Sequence, residues 1–160
     1  MKVLVVCTGN ICRSPMAEAI LRAMLKERGA TGIEVSSAGT AAATGEPASE
    51  GGYLVGLERG LDLSSHCARP LTRELVAESD LILGMSEHHV SRARALGAGD
   101  KAHLLGEYAG RKREEAEVPD PFGGDLEDYR QTYEQLMELM PGVVDRMLNQ
   151  GPGPGARGPG

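Results

Sequence analysis

Lys2-Val3-Leu4-Val5-Val6-Cys7-Thr8-Gly9-Asn10-Ile11-Cys12-Arg13-Ser14-Pro15 opens on an apolar run and closes on helix-start residues. The run from Lys2 to Val6 does not alternate, so it suits a strand buried on both faces, as in a parallel sheet, and Gly9 bounds it. Ser14 is placed to cap a helix. Pro15 fits the first helical position, where its missing N–H costs nothing, and Gly29 offers a stop. Between them Ala17, Ile20, Leu21, Met24 and Leu25 recur at the spacing of one helical face. The stretch therefore predicts strand, loop and helix in succession.

Outward from this unit the alternation continues. Ile33 to Ser37 reads as a second strand, followed by a loop rich in Gly, Ala and Thr as far as Pro47. Ala48 to Glu58 is a helical segment weakened by Gly51, Gly52 and Gly56. A short helix from Arg73 to Glu78 precedes a third strand, Asp80 to Met85. Ser86 caps a helix to about Leu96, and Ala102 to Leu105 forms a fourth strand. The last helix starts after Asp125 with Tyr129, Tyr133, Leu136, Met137 and Met140 on one face. Pro141-Gly142 is predicted to kink or interrupt it, with helix resuming to Leu148. Parallel strands need crossovers, so this order implies a small doubly wound α/β domain with helices on both faces of the sheet. Residues 1–149 are expected to form that domain. Gly151 to Gly160 hold only Gly, Pro, Ala and Arg, with nothing to bury, so 150–160 is expected to be a disordered tail.

Composition excludes several classes. A chain of 160 residues with 41% apolar and 25% charged residues fits one globular core. Its formal charge of −6 at pH 7 tells against nucleic acid as a partner, because such binding neutralises many phosphates with Lys and Arg. An anionic substrate must then be held locally. The apolar run before Cys7 is too short for a signal-peptide core and no stretch has transmembrane length, so a cytoplasmic chain without a membrane partner is expected. Cys7, Cys12 and Cys67 are an odd, sparse set that excludes a disulfide framework and directs attention to reactive thiols. Cys67 reads as a small buried residue and the charge run Arg111 to Glu117 as solvated loop. His88-His89 reads as part of an exposed helix with no third ligand, so no metal and no other cofactor is expected. A monomer is expected.

The chemistry concentrates where the first strand meets the first helix. In open α/β sheets ligands sit beyond the carboxyl ends of the strands, where a helix N-terminus offers unpaired N–H groups to an anion. Five residues separate Cys7 from Arg13, enough for the chain to curl around one tetrahedral anion, with the sulfur beneath it and the guanidinium beside it. Gly9 and Asn10 tolerate the left-handed backbone such a curl needs. Arg13 can hold two oxygens in a fork, and a nest of N–H donors favours the thiolate of Cys7. A lone Cys is more often a small core residue and a lone Arg a surface charge. Here strand, glycine turn, Arg and helix start converge on one anion site.

Val6-Cys7-Thr8-Gly9-Asn10-Ile11-Cys12-Arg13-Ser14-Pro15 resembles the signature of the low-molecular-weight protein tyrosine phosphatases. The resemblance extends to Ser37-Ala38-Gly39-Thr40, to Ser65-His66-Cys67-Ala68-Arg69 and to Asp120-Pro121. It implies a four-stranded parallel sheet of order 2-1-3-4 and an enzyme that hydrolyses phosphotyrosine in phosphorylated proteins through a phosphocysteine. By the same resemblance Cys7 is the nucleophile, and Asp120 is first the acid and then the base. The loop Thr8, Gly9, Asn10, Ile11 and Cys12 binds the phosphoryl group together with Arg13. Ser14 donates to the Cys7 sulfur, and Asn10 is held through its side chain by Ser37 and His66. Cys12 would trap an oxidised Cys7 as a disulfide. Without the resemblance, Asp120 is a turn residue before proline. Its neighbours Pro119, Pro121 and Phe122 are expected to desolvate its carboxyl.

Ile11, Ala43 and Phe122 are the expected substrate slot. Tyrosine-directed members commonly carry an aromatic residue near Ala41-Ala42-Ala43, and some carry two tyrosines where Phe122-Gly123 stands here. Asp120-Pro121-Phe122-Gly123-Gly124 resembles bacterial members that include protein arginine phosphatases, in which the position of Ile11 is typically Thr. A branched apolar residue there favours an aryl phosphate, so phosphotyrosine is the expected substrate and phosphoarginine the alternative. Phe122, the only Phe, is either a wall for a flat substrate group or buried in its loop. Arsenate reductase on the same fold would need further cysteines, for which Cys67 is the sole candidate, and has no place for Asp120. A non-enzymatic phosphate-binding module would not need nucleophile, fork and acid together.

Overall fold

The computed structural model describes residues 1–150. Of the tail expected at 150–160, Gln150 ends the last helix and residues 151–160 lie outside the described residues. Four parallel strands form one sheet: β1 (Lys2–Cys7), β2 (Glu34–Gly39), β3 (Leu81–Gly84) and β4 (Ala102–Leu104). Their order is β2-β1-β3-β4, with β1 paired to β2 from Lys2↔Glu34 to Cys7↔Gly39 and to β3 from Val3↔Leu81 to Val6↔Gly84. Both the doubly wound class and the order agree with expectation.

The unalternating sequence of β1 follows from its central place. Val3, Val5 and Cys7 enter one core, together with Leu81 and Leu83 of β3, while Leu4, Val6 and Ile82 enter the other. Successive side chains of a strand point to opposite faces, so a strand covered on both sides has to be apolar at every position. Helices α1 (Arg13–Glu27) and α2 (Glu50–Glu58) supply Ile20, Leu21 and Val55 to the first core. Helices α3 (Arg73–Glu78) and α4 (Glu87–Ala95) supply Val76, Val90 and Ala93 to the second. Helices α5 (Leu105–Tyr108) and α6 (Leu126–Gln150) return to the first.

Three local expectations change. Helix α1 begins at Arg13, with Cys12 in the cap position and no side-chain cap; Ser14 lies within the first turn and turns its hydroxyl to the loop instead. Gly29, just past the cap residue Arg28, has φ +68° and ends the helix as expected. The glycines of α2 are contact points: a Cβ on Gly51 would overlap the Tyr129 ring, and one on Gly56 would stand 2.8 Å from Leu63. Helix α6 runs unbroken through Pro141. Proline inside a helix costs about 3 kcal/mol. Val143, Val144 and Met147 are buried beyond it, each contributing about 1.5–3 kcal/mol, which outweighs that cost. Gly142 packs so closely on α5 that a Cβ would overlap the Ala109 carbonyl.

The charge run from Arg111 to Glu117 is exposed except for Ala116. Arg113 within it pairs with Glu87 at 2.7 Å and Glu107 at 3.2 Å. Among the described residues no helix is long and apolar enough to cross a membrane.

Candidate active site

Residues 8–12 join β1 to α1 in a tight curl. Asn10, fully buried, has φ +56°, the one positive φ outside glycine among the described residues. A left-handed residue with a Cβ costs roughly 1–2 kcal/mol, and four hydrogen bonds hold this one in place. Its Nδ2 donates to Ser14 Oγ at 2.8 Å and to Ser37 Oγ at 2.9 Å, its Oδ1 accepts from the Arg69 N–H at 3.0 Å, and its carbonyl lies 2.6 Å from His66 Nε2. His66 thus grips the main chain of Asn10, not its side chain as expected. Its place on the side chain is taken by the backbone of Arg69. Ser37 donates its own proton to Glu18 Oε1 at 2.6 Å, which leaves its oxygen free to accept from Asn10.

The curl points its carbonyls outward. Those of Cys7, Thr8, Asn10 and Ile11 are bonded by Thr40 N, Ala41 N, His66 and Ser49 N. Across a trans peptide the N–H points opposite the C=O, so the amides of Thr8, Gly9, Ile11 and Cys12 face the hollow of the curl. An anion-binding nest results.

Cys7 ends β1 at the floor of this hollow, with its Sγ 2.9 Å from Ser14 Oγ. Ser14 Oγ already accepts from Asn10, so its proton is left for the sulfur. Arg13 is only 3% exposed. One terminal nitrogen, Nη1, is committed to Ser86 Oγ at 3.2 Å and the Val118 carbonyl at 3.0 Å. The other, Nη2, lies 3.4 Å from Thr8 Oγ1 and 3.5 Å from Asp120 Oδ2. Its Nε is buried and has no partner among the described residues. A buried N–H without an acceptor costs about 1–3 kcal/mol, and the Nε–Nη2 edge is the one that can fork two oxygens of an anion.

Cys7, Thr8, Arg13 and Asp120 share a cleft of about 270 Å³, which Ile11, Ala43, Glu46 and Phe122 also line. Asp120 Oδ1 accepts from the Phe122 N–H at 3.0 Å. Its side chain is 44% exposed, because Pro119 and Phe122 are exposed and only Pro121 is buried; the expected desolvation by all three is absent. Phe122 itself is 69% exposed and stands at the rim, not inside its loop. Cys12 is buried with its Sγ 3.5 Å from Tyr129 Oη, and burial pushes its thiol pKa up. Cys67 is exposed, against expectation, because the inward position of its loop falls to Ala68.

A family profile described as low molecular weight phosphotyrosine protein phosphatase matches residues 2–151. The chain belongs to that family. It is 37% identical over 142 residues to a protein-arginine-phosphatase of Bacillus subtilis, covering 88% of this chain and 92% of that one. The low molecular weight protein tyrosine phosphatase of T. tengcongensis superposes with a TM-score of 0.84 at 39% identity, covering 91% and 99% of the two chains. YwlE arginine phosphatase, as a Cys-to-Ser mutant with a phosphorylated active-site serine, superposes with a TM-score of 0.84 at 35% identity, covering 92% and 96%.

Glu18, which takes the Ser37 proton, and His89 are residues of this phosphatase-family site missed from sequence. His89, read as exposed, is completely buried; only His88 is exposed. Adjacent helical residues point about 100° apart, and on α4 the inner direction belongs to His89. Its Nδ1 accepts from the Ser86 N–H at 3.0 Å and its Nε2 lies 2.8 Å from Thr8 Oγ1. Burial foremost, then the nearby His88 and Arg13, lower its pKa to about 3. The signal was present: Ser86 followed three positions later by His89 repeats a capping box, with imidazole in place of the usual Glu or Gln.

Proposed function

We propose that this chain is a protein phosphatase that hydrolyses phosphotyrosine through a phosphocysteine. The observation that carries the reading is the Arg13 Nε, without a partner among the described residues, in a side chain that lines the same cleft as Cys7. The Cys7 thiolate attacks phosphorus, the bond from phosphorus to the tyrosyl oxygen breaks, and Asp120 gives its proton to that oxygen. Water then attacks the phosphocysteine, Asp120 takes a proton from it, and the S–P bond breaks to return the thiolate. The Ser14 hydroxyl stabilises the sulfur at both stages. Amides of the curl and the Arg13 edge stabilise the equatorial oxygens of a loose transition state. The arriving dianion competes with Asp120 for the Arg13 guanidinium, 3.5 Å from its Oδ2.

Ile11 and Ala43 give an apolar slot suited to a phenyl ring, with Phe122 as its rim. A second reading, phosphoarginine, is supported by the Bacillus subtilis relative and by Glu46, an acidic residue among those lining the cleft that would pair with a guanidinium. We further propose that residues 1–149 are the catalytic unit, that it works in the cytoplasm as a monomer, and that Cys12 protects an oxidised Cys7. Steady-state kcat/KM on matched phosphotyrosine and phosphoarginine peptides tests the substrate. Phosphotyrosine is expected to be preferred, Ile11→Thr to narrow the preference, and Cys7→Ser to abolish both activities. Faster turnover of phosphoarginine by the wild type would overturn the choice.

A further inference from the structure

His89 fixes the direction of a proton. The Ser86 N–H donates to His89 Nδ1, so that nitrogen carries no hydrogen and the ring proton sits on Nε2. Nε2 therefore donates to Thr8 Oγ1 at 2.8 Å. The same oxygen lies 3.4 Å from Arg13 Nη2, which has only protons to offer. A threonine hydroxyl has two lone pairs and one proton. With both lone pairs facing N–H donors, the proton is what remains, and Thr8 lines the cleft beside Cys7, Arg13 and Asp120.

We propose that the Ser86 amide and His89 form a one-way donor chain that obliges Thr8 to give its Oγ–H to a phosphoryl oxygen in the cleft. This rests on the phosphatase reading and deepens it. Thr8 touches the reacting group; His89 is a positioning residue, acting through Thr8. The donor is neutral, aimed before substrate arrives, and serves an oxygen whose charge is redistributed in the transition state, the circumstances in which a fixed dipole contributes most to rate. The neutral ring keeps the chain running one way, since a doubly protonated His89 would turn an N–H against the N–H of Ser86.

Hydrolysis of p-nitrophenyl phosphate by Thr8→Val, Thr8→Ser, His89→Phe and the double variant Thr8→Val/His89→Phe tests this. Loss of one hydrogen bond to a charged group corresponds to about a 10- to 100-fold fall in rate. Thr8→Val is expected to lower kcat by that factor with KM moving less than about threefold, and Thr8→Ser to restore the larger part. His89→Phe is expected to fall similarly, and the double variant to fall no further, because both remove the same donor. Thr8→Val within twofold of wild type overturns the proposal, as does a double variant whose loss is the product of the single losses. The Thr8 variants decide even if His89→Phe fails to fold. Wild type without activity, or activity surviving in Cys7→Ser, would remove the phosphatase reading and this inference with it. An active wild type with an indifferent Thr8→Val removes the inference alone.

Discussion

Asn10 is the residue on which the shape of the curl depends. Its side chain satisfies Ser14, Ser37 and the Arg69 amide at once, and its φ of +56° is tolerable because of those bonds. Asn10→Ala keeps the backbone cost and leaves the part-buried Arg69 N–H and the two hydroxyls short of a partner. At about 1–3 kcal/mol for each unsatisfied group, the expected loss is roughly 3 kcal/mol or more, read as a lower urea midpoint. Asn10→Gly relieves the backbone but not the bonds, so it should fall between Ala and wild type. A wild-type midpoint for Asn10→Ala would show that the network contributes nothing. The residues that make up this site were legible in unequal measure. Cys7, Arg13 and Asn10 belong to one continuous stretch whose spacing already describes a curl. Glu18, Arg69 and His89 reach it from outside that stretch; of the three only His89 carries a local sign of its direction, the capping box with Ser86. For His66 the element was right and the bonded atom wrong, because a main-chain carbonyl leaves no mark in the sequence.

At the scale of elements, local sequence marks the glycines of α2 and Pro141 as breakers, and tertiary contact decides otherwise. The propensity cost of Gly51 and Gly56 in α2 is real, yet it is what allows Tyr129 and Leu63 to approach the backbone. Strand existence and type were legible in β1 because covering both faces forces an unbroken apolar run. The unbroken α6 was not, because the burial of Val143, Val144 and Met147 that outweighs Pro141 appears only once the core is assembled around them. Gly142 gives a prediction whose sign separates the two effects. In an exposed helix Gly→Ala stabilises by about 1 kcal/mol. Here the new methyl would overlap the Ala109 carbonyl, and forcing volume into a packed site costs about 1–3 kcal/mol. Gly142→Ala should therefore lower Tm by several degrees; a raised Tm would mean that α5 yields freely to α6.

At the scale of the whole molecule the fold stakes part of its stability on keeping histidines neutral. The pKa of His89 falls from 6.5 to about 3, and that of His103 is also lowered, in both cases chiefly by burial. A histidine whose folded pKa is depressed leaves the unfolded chain binding the extra proton, so stability is full above the unfolded value of 6.5 and declines as pH falls from there towards the folded one. Each such proton contributes a slope of about 1.4 kcal/mol per pH unit. Glu58 and Asp62 act in the same sense lower down. Hydrogen bonds from Arg130 and from the Ser64 N–H hold their carboxyls below their ordinary 4.5 and 3.8, so their contribution is lost only below those values. Between pH 6 and 5 the histidines are thus seen largely apart from these carboxylates. Urea unfolding across that window should give a steeper fall of stability in the wild type than in His89→Phe, by close to one proton. Equal slopes would mean that His89 is protonated in the folded state, in which case Nδ1 could not accept from Ser86 and the donor direction assigned to Thr8 would fail with it.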